Sequence, residues 1–169
     1  MALLKFRNTL LFTMSLFASF TSVFGQHSLD DLIDRYNTRS VPYISAEEMR
    51  MDQENYLILD TRKKEEYNVS HIPGAIWTSE KPEKSLIDSL KTTNKKPIVV
   101  YCSVGIRSED FGEKLKKMGF ANVKNLYGGI FVWKDTGYTV VDNDGKKTDK
   151  VHTFSKVWKK YLKTGTAVY

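Results

Sequence analysis

Short, near-continuous apolar runs alternate along this chain with segments in which apolar residues recur at helical spacing. Tyr56-Leu-Ile-Leu-Asp60 and Ile98-Val-Val-Tyr101 read as buried strands, and Val123 to Leu126 as a last parallel strand. Ala75 to Trp77 is a further strand, and Val41 to Ile44 a short edge strand, because Pro42 cannot donate to a central ladder. Between them the period changes. Leu29, Leu32, Ile33 and Tyr36 share one face of a helix opened by Ser28, with Asp31 three residues on. Ser45 and Glu48 open a brief helix through Met51 in the same way, Lys63 to Tyr67 is a helical turn, and Ser85 to Leu90 is a short helix. Phe111, Leu115 and Met118 lie on one face of a helix with Ser108 as N-cap, Glu109 and Asp110 in its first turn and Gly119 at its stop. Gly128-Gly129 turns the chain into a helical turn, Ile130 to Lys134. Phe154, Val157, Trp158, Tyr161 and Leu162 mark the face of a last helix, docked on the domain's own surface or, alternatively, facing a partner or membrane. Strands alternating with helices imply an α/β fold, a mainly parallel central sheet with helices on both faces.

Chemistry concentrates at the end of the central strand. Pro97 suits a first strand position, and Ile98 to Tyr101 run straight into Cys102, the only cysteine. Arg107 and Ser108 then open a helix, so the thiol sits at the carboxyl end of a strand, before a helix N-terminus. Such a loop points backbone N–H groups inward and cradles an anion. Gly105 permits a backbone conformation closed to other residues. A thiol in that cradle beside Arg107 has a lowered pKa and reacts as the thiolate. A free cysteine elsewhere is more often a small buried core residue; the strand–Cys–Gly–Arg–helix order favours the reactive reading.

Cys102-Ser-Val-Gly-Ile-Arg107 resembles the active-site loop of the rhodanese-like sulfurtransferases, in the Cys-x-x-Gly-x-Arg form of single-domain members. Leu59-Asp-Thr-Arg62, then Glu66 and His71-Ile-Pro-Gly-Ala75, is similar to the amino-terminal signature of that family, and Tyr127-Gly-Gly-Ile-Phe-Val-Trp133 to its closing segment. Order and spacing agree over about residues 40 to 142. The resemblance implies a single rhodanese-like domain in which Cys102 is catalytic and Ser103, Val104, Gly105, Ile106 and Arg107 bind substrate. It places Arg62 near the active loop as a further binding candidate, while Asp60 and His71 take structural roles.

The length of 169 residues suits one domain: a leader over 1–25, an N-terminal helical segment over 26–40, the rhodanese-like domain over 41–142 and a C-terminal helical extension over 143–169. The leader reads as a secretory signal peptide. Lys5 and Arg7 form a basic start, Leu10 to Phe24 carries no charge, and Gly25 is a small residue at the cleavage position. An exported protein follows, periplasmic or secreted, with no membrane span after cleavage; an uncleaved anchor is the alternative. The net charge of +6 is mild, and no arginine-rich tract or nucleic-acid motif accompanies it, so no nucleic-acid partner is expected. One cysteine excludes an internal disulfide, and His27, His71 and His152 stand at no metal-like spacing, so neither metal nor cofactor is expected.

The function implied is sulfur transfer: Cys102 takes the outer sulfur of a small anionic donor such as thiosulfate, paired with Arg107, and passes it on. With no second cysteine, the acceptor is external: cyanide, a small thiol or a protein. A phosphatase or arsenate reductase shares the strand–Cys–loop–Arg layout but spaces its arginine six residues after the cysteine, whereas Arg107 is five after Cys102. A sulfur-carrier or binding module without turnover is the third reading.

Overall fold

The computed structural model describes residues 28–169. The leader read over 1–25 therefore lies outside the described residues. The chain runs α1 (Leu29–Tyr36), β1 (Tyr43–Ile44), α2 (Ala46–Met51), β2 (Leu57–Asp60), α3 (Lys64–Val69), β3 (Ile76–Trp77), α4 (Lys84–Thr93), β4 (Ile98–Tyr101), α5 (Arg107–Lys117), β5 (Val123–Leu126) and α6 (Gly129–Asp135). Five strands form one sheet in the order β1-β5-β4-β2-β3, and every pairing in it is parallel. The reactive strand β4 is central, paired with β2 from Leu57↔Ile98 to Asp60↔Tyr101 and with β5 from Ile98↔Val123 to Val100↔Asn125.

Alternation along the strands makes two cores. Ile58, Val99, Tyr101 and Leu126 face one side, with Met49 of α2 and Ile130, Phe131 and Trp133 of α6. Leu59, Ile98, Val100 and Val123 face the other, with Ile87 and Leu90 of α4 and Phe111 and Leu115 of α5. Both sheet faces are thus covered, as a parallel sheet requires, and the expected α/β architecture is the one observed.

Local signals set several boundaries. Ser28 and Asp31 form a reciprocal capping box, each side chain accepting from the other's backbone N–H at 3.0 Å. Ser45 accepts from the Glu48 N–H, but the Glu48 carboxylate turns to Lys124 at 2.8 Å, so only half of that box forms. Ser108 is not the cap of α5. The helix starts one residue earlier, and the Ser108 hydroxyl donates to Asn125 Oδ1 at 2.7 Å instead. Met118 ends that helix, 39% exposed, rather than extending its buried face.

The C-terminal region departs most from the expected helix. β6 (Val140–Val141) and β7 (Lys147–Thr148) form an antiparallel hairpin. β8 (Lys150–His152) and β9 (Thr166–Val168) pair in parallel, and a 3-10 helix over Lys156–Tyr161 lies in the connection. A parallel pair needs a crossover of about a dozen residues, and 153–165 supplies it. The rise of 3-10 geometry, about 2.0 Å per residue, covers more ground than an α-helix. Val157, assigned by periodicity to the buried face, is 71% exposed, whereas Trp158, Tyr161 and Leu162 pack on the domain core. The segment does dock on its own domain, as a strap carrying a 3-10 helix rather than as an α-helix. No helix of the described residues is long and apolar enough to cross a membrane.

Candidate active site

Strand β4 delivers Cys102 to the carboxyl edge of the sheet, where open α/β folds bind their ligands. The residue is 1% exposed and lines a cavity of about 210 Å3 together with Ser103, Val104, Ile106, Arg107, Phe154 and Trp158. The Gly105 N–H donates to Sγ at 3.2 Å. Burial pushes the thiol up, but the Arg107 charge, the Ser108 hydroxyl and the N–H groups of Ser108 and Val104 outweigh it and hold the pKa below the ordinary thiol value. Ser108 has one hydroxyl proton to share between that sulfur and Asn125 Oδ1.

The loop is held from outside as well as along its length. Gly105 adopts φ +94°, and its carbonyl accepts from Asn37 Nδ2 at 2.9 Å and from Asn125 Nδ2 at 2.7 Å. The first turn of α6 closes onto the loop: Ile130 N–H donates to the Cys102 carbonyl and Phe131 N–H to that of Ser103, at 3.0 and 3.1 Å. This approach is why residue 129 is glycine. A Cβ there would stand 2.3 Å from the Cys102 carbonyl oxygen.

Arg107 faces two carboxylates. Its Nη1 donates to Glu66 Oε2 and its Nη2 to Glu66 Oε1, both at 2.8 Å, and Nη1 also reaches Glu80 Oε1 at 3.2 Å. Ser103 Oγ accepts from Nη2 and donates to Glu66 Oε1, both at 3.0 Å. Glu66 is fully buried; burial alone would raise its pKa, but Arg107 and, further off, Arg62 keep it below the usual carboxylate range. Arg107 therefore braces the loop. Its Cζ also lies 4.7 Å from the centroid of the Phe154 ring.

Arg62 is not brought to the cavity. It is wholly buried, its Nε and Nη2 paired with Asp60, and Nη2 also donates to the Ser70 carbonyl at 2.6 Å. Tyr101 OH donates to the same Asp60 carboxylate at 2.6 Å and accepts from Ile72 N–H. Asp60 and Arg62 tie the end of β2 to the His71-Ile-Pro-Gly segment, which is architecture. His71 stacks on Tyr67 with centroids 3.9 Å apart, and burial lowers its pKa.

Sequence reasoning placed the loop but passed over Glu66, Asn37 and Asn125 as site residues, and Phe154 and Trp158 as cavity walls. Asn125 carried a signal: it is a polar residue inside a buried strand, on the edge of a reactive loop. Asn37 and the strap carried none, because only the packing of α1 and of residues 153–165 brings them there.

The family model described as Rhodanese-like domain matches residues 45–136. A tRNA uridine(34) hydroxylase of Bacillus licheniformis is 35% identical over 111 residues, covering 62% of this chain and 34% of that protein. The adenylyltransferase and sulfurtransferase UBA4 of Meyerozyma guilliermondii is 36% identical over 96 residues, covering 53% of this chain and 22% of that protein. This chain therefore spans about a third or less of these curated relatives. Among solved structures, the thiosulfate sulfurtransferase of Pseudomonas aeruginosa superimposes with a TM-score of 0.53 at 25% identity, covering 73% of this chain and 24% of that one. More than half of the chain, including β2, β4, the Cys102–Arg107 loop and α5, thus matches one family, and the protein belongs to the rhodanese-like domain family.

Proposed function

We propose that this protein is a sulfurtransferase that carries sulfane sulfur on Cys102. The observation that carries the reading is the state of that thiol: the sole cysteine, buried at the end of β4, with a backbone N–H on its sulfur and its pKa lowered by the surroundings. The thiolate attacks the outer sulfur of a donor. In thiosulfate the sulfur–sulfur bond breaks, sulfite leaves with the bonding pair, and Cys102 becomes a persulfide anion. The N–H groups of the loop and the charge of Arg107 stabilise that anion. An acceptor nucleophile then attacks the terminal sulfur, and the electron pair of the broken bond returns to Sγ. No second thiol exists in the chain to discharge the persulfide, so cyanide, a small thiol or a partner protein must do so.

The phosphatase reading is the weaker one: those enzymes space the arginine six residues after the cysteine over a wider loop, whereas Arg107 is five after Cys102, and the tighter loop suits one sulfur atom better than a tetrahedral oxyanion.

Intact-mass measurement tests the proposal. Thiosulfate should add the mass of one sulfur atom, cyanide should remove it, and Cys102→Ser should never acquire it. Failure to trap a persulfide from any sulfane donor, together with turnover of an aryl phosphate, would replace this reading. A persulfide that no small acceptor discharges would make the protein a carrier.

A further inference from the structure

Apolar side chains dominate the cavity over Cys102: Val104 and Ile106 of the loop, with Phe154 and Trp158 from the chain's end. Two of these four come from the strap, beyond the residues 45–136 that match the family. At about 210 Å3 it exceeds the roughly 150 Å3 of an apolar cavity that accepts benzene.

Arg107, the charged side chain in its wall, is already paired with Glu66 and Glu80.

Phe154 is held where it is at a cost. Its φ is +63°, a region that bulky side chains avoid. Its N–H donates to His152 Nδ1 at 3.0 Å, its ring meets Arg107, and it packs edge-on with Trp158 at 6.4 Å between centroids. Backbone strain persists where surrounding contacts over-determine the position, and here those contacts set an aromatic wall beside the reactive sulfur.

Resting on the sulfur-transfer reading above, we propose that Phe154 and Trp158 select an organic sulfane-sulfur donor bearing one apolar or aromatic group of about ring size, in preference to thiosulfate. In a thiosulfonate, R–SO2–S⁻, the Cys102 thiolate attacks the terminal sulfur. The bond between the two sulfur atoms breaks, the sulfinate R–SO2⁻ leaves with the electron pair, and the same Cys102 persulfide forms. Only R differs from the thiosulfate reaction, where an anionic oxygen stands in its place. R occupies the space between Val104, Ile106 and the two aromatic rings, and its burial lowers the barrier of the productive complex.

The test compares benzenethiosulfonate, methanethiosulfonate and thiosulfate as donors, by kcat/KM with cyanide as acceptor. Each ratio is divided by that for a free thiolate in solution, which removes the intrinsic difference between leaving groups. The wild-type protein should prefer the benzene over the methane compound by at least about tenfold, within the range that added apolar contacts supply. Trp158→Ala and Phe154→Leu should each draw that preference toward the solution value. A wild-type ratio equal to the solution value overturns the inference whether or not the variants fold. A preference unchanged in both folded variants overturns it as well. A persulfide from all three donors without selectivity leaves sulfur transfer standing and defeats only this inference, whereas no persulfide from any donor defeats both.

Discussion

Glu66 grips Arg107 with both carboxylate oxygens, each at 2.8 Å from a different guanidinium nitrogen. A carboxylate from α3 therefore fixes the first residue of α5 and, through it, the loop that carries Cys102. The arginine that the motif marks for an anionic donor is used first to hold the loop in shape.

Glu66→Gln should cost about 2 kcal/mol, the range for a lost hydrogen bond to a charged group, read as a lower urea midpoint at unchanged slope. It should also change the acid limb of the stability profile. The Glu66 pKa is lowered in the folded protein, so in acid the unfolded chain binds the extra proton. The ion pair's contribution is full above the ordinary carboxylate value of about 4.3 and is lost as pH falls below it through the lowered folded value. The glutamine variant should lack that part of the acid loss.

Cys102 should ionise below the ordinary thiol value of about 8.5, measured by thiolate absorbance, which one cysteine makes unambiguous. Arg107→Gln removes the largest lowering influence and should shift the midpoint upward, with persulfide formation at neutral pH slowed severalfold. Arg107→Lys keeps the charge and should stay nearer the wild-type midpoint. An unmoved midpoint in the glutamine variant would show that the backbone cradle alone sets the ionisation.

Gly129→Ala and Gly137→Ala form a matched pair. Both glycines have positive φ, +54° and +88°, so both substitutions cost about 1 kcal/mol or more of backbone strain. Only at 129 would the new methyl meet the Cys102 carbonyl, at 2.3 Å; at 137 nothing lies within 4 Å. Gly129→Ala should therefore lose a further 1–3 kcal/mol or so to overpacking and displace the loop, slowing persulfide formation, while Gly137→Ala should react as wild type. Equal thermal shifts in the two variants would argue against the close approach.

His71→Ala should cost about 0.5–1.5 kcal/mol through the lost stack on Tyr67 and leave persulfide formation near its wild-type rate. The His71 pKa is lowered by burial. As pH falls below about 6.5, the unfolded histidine takes up a proton that the folded one resists, so stability declines toward the lowered folded value. That part of the decline should be absent from the variant. A large fall in rate without loss of folding would assign His71 a role in the chemistry.

What the sequence by itself determined is local in origin. The apolar runs at 57–60 and 98–101 read as buried strands, and the order strand, Cys102, Gly105, Arg107, helix states where a thiol meets a ring of N–H groups. The Ser28–Asp31 box was equally legible, because capping depends on neighbours three residues apart. The tertiary structure decided what depends on distant partners. Arg62 and Arg107 are the same residue type near the same sheet edge, yet Asp60 and the Ser70 carbonyl bury one, while Glu66 and Glu80 hold the other at the cavity rim. The apolar spacing from Phe154 to Leu162 fits an α-helix, but β8 and β9 pair in parallel on either side of it. That pairing sets the span the connection must cross, and it puts Phe154 and Trp158 in the wall of the cavity that Cys102 lines. A periodic pattern reports which side chains avoid water; which surface they meet is settled only when the ends of the segment are anchored.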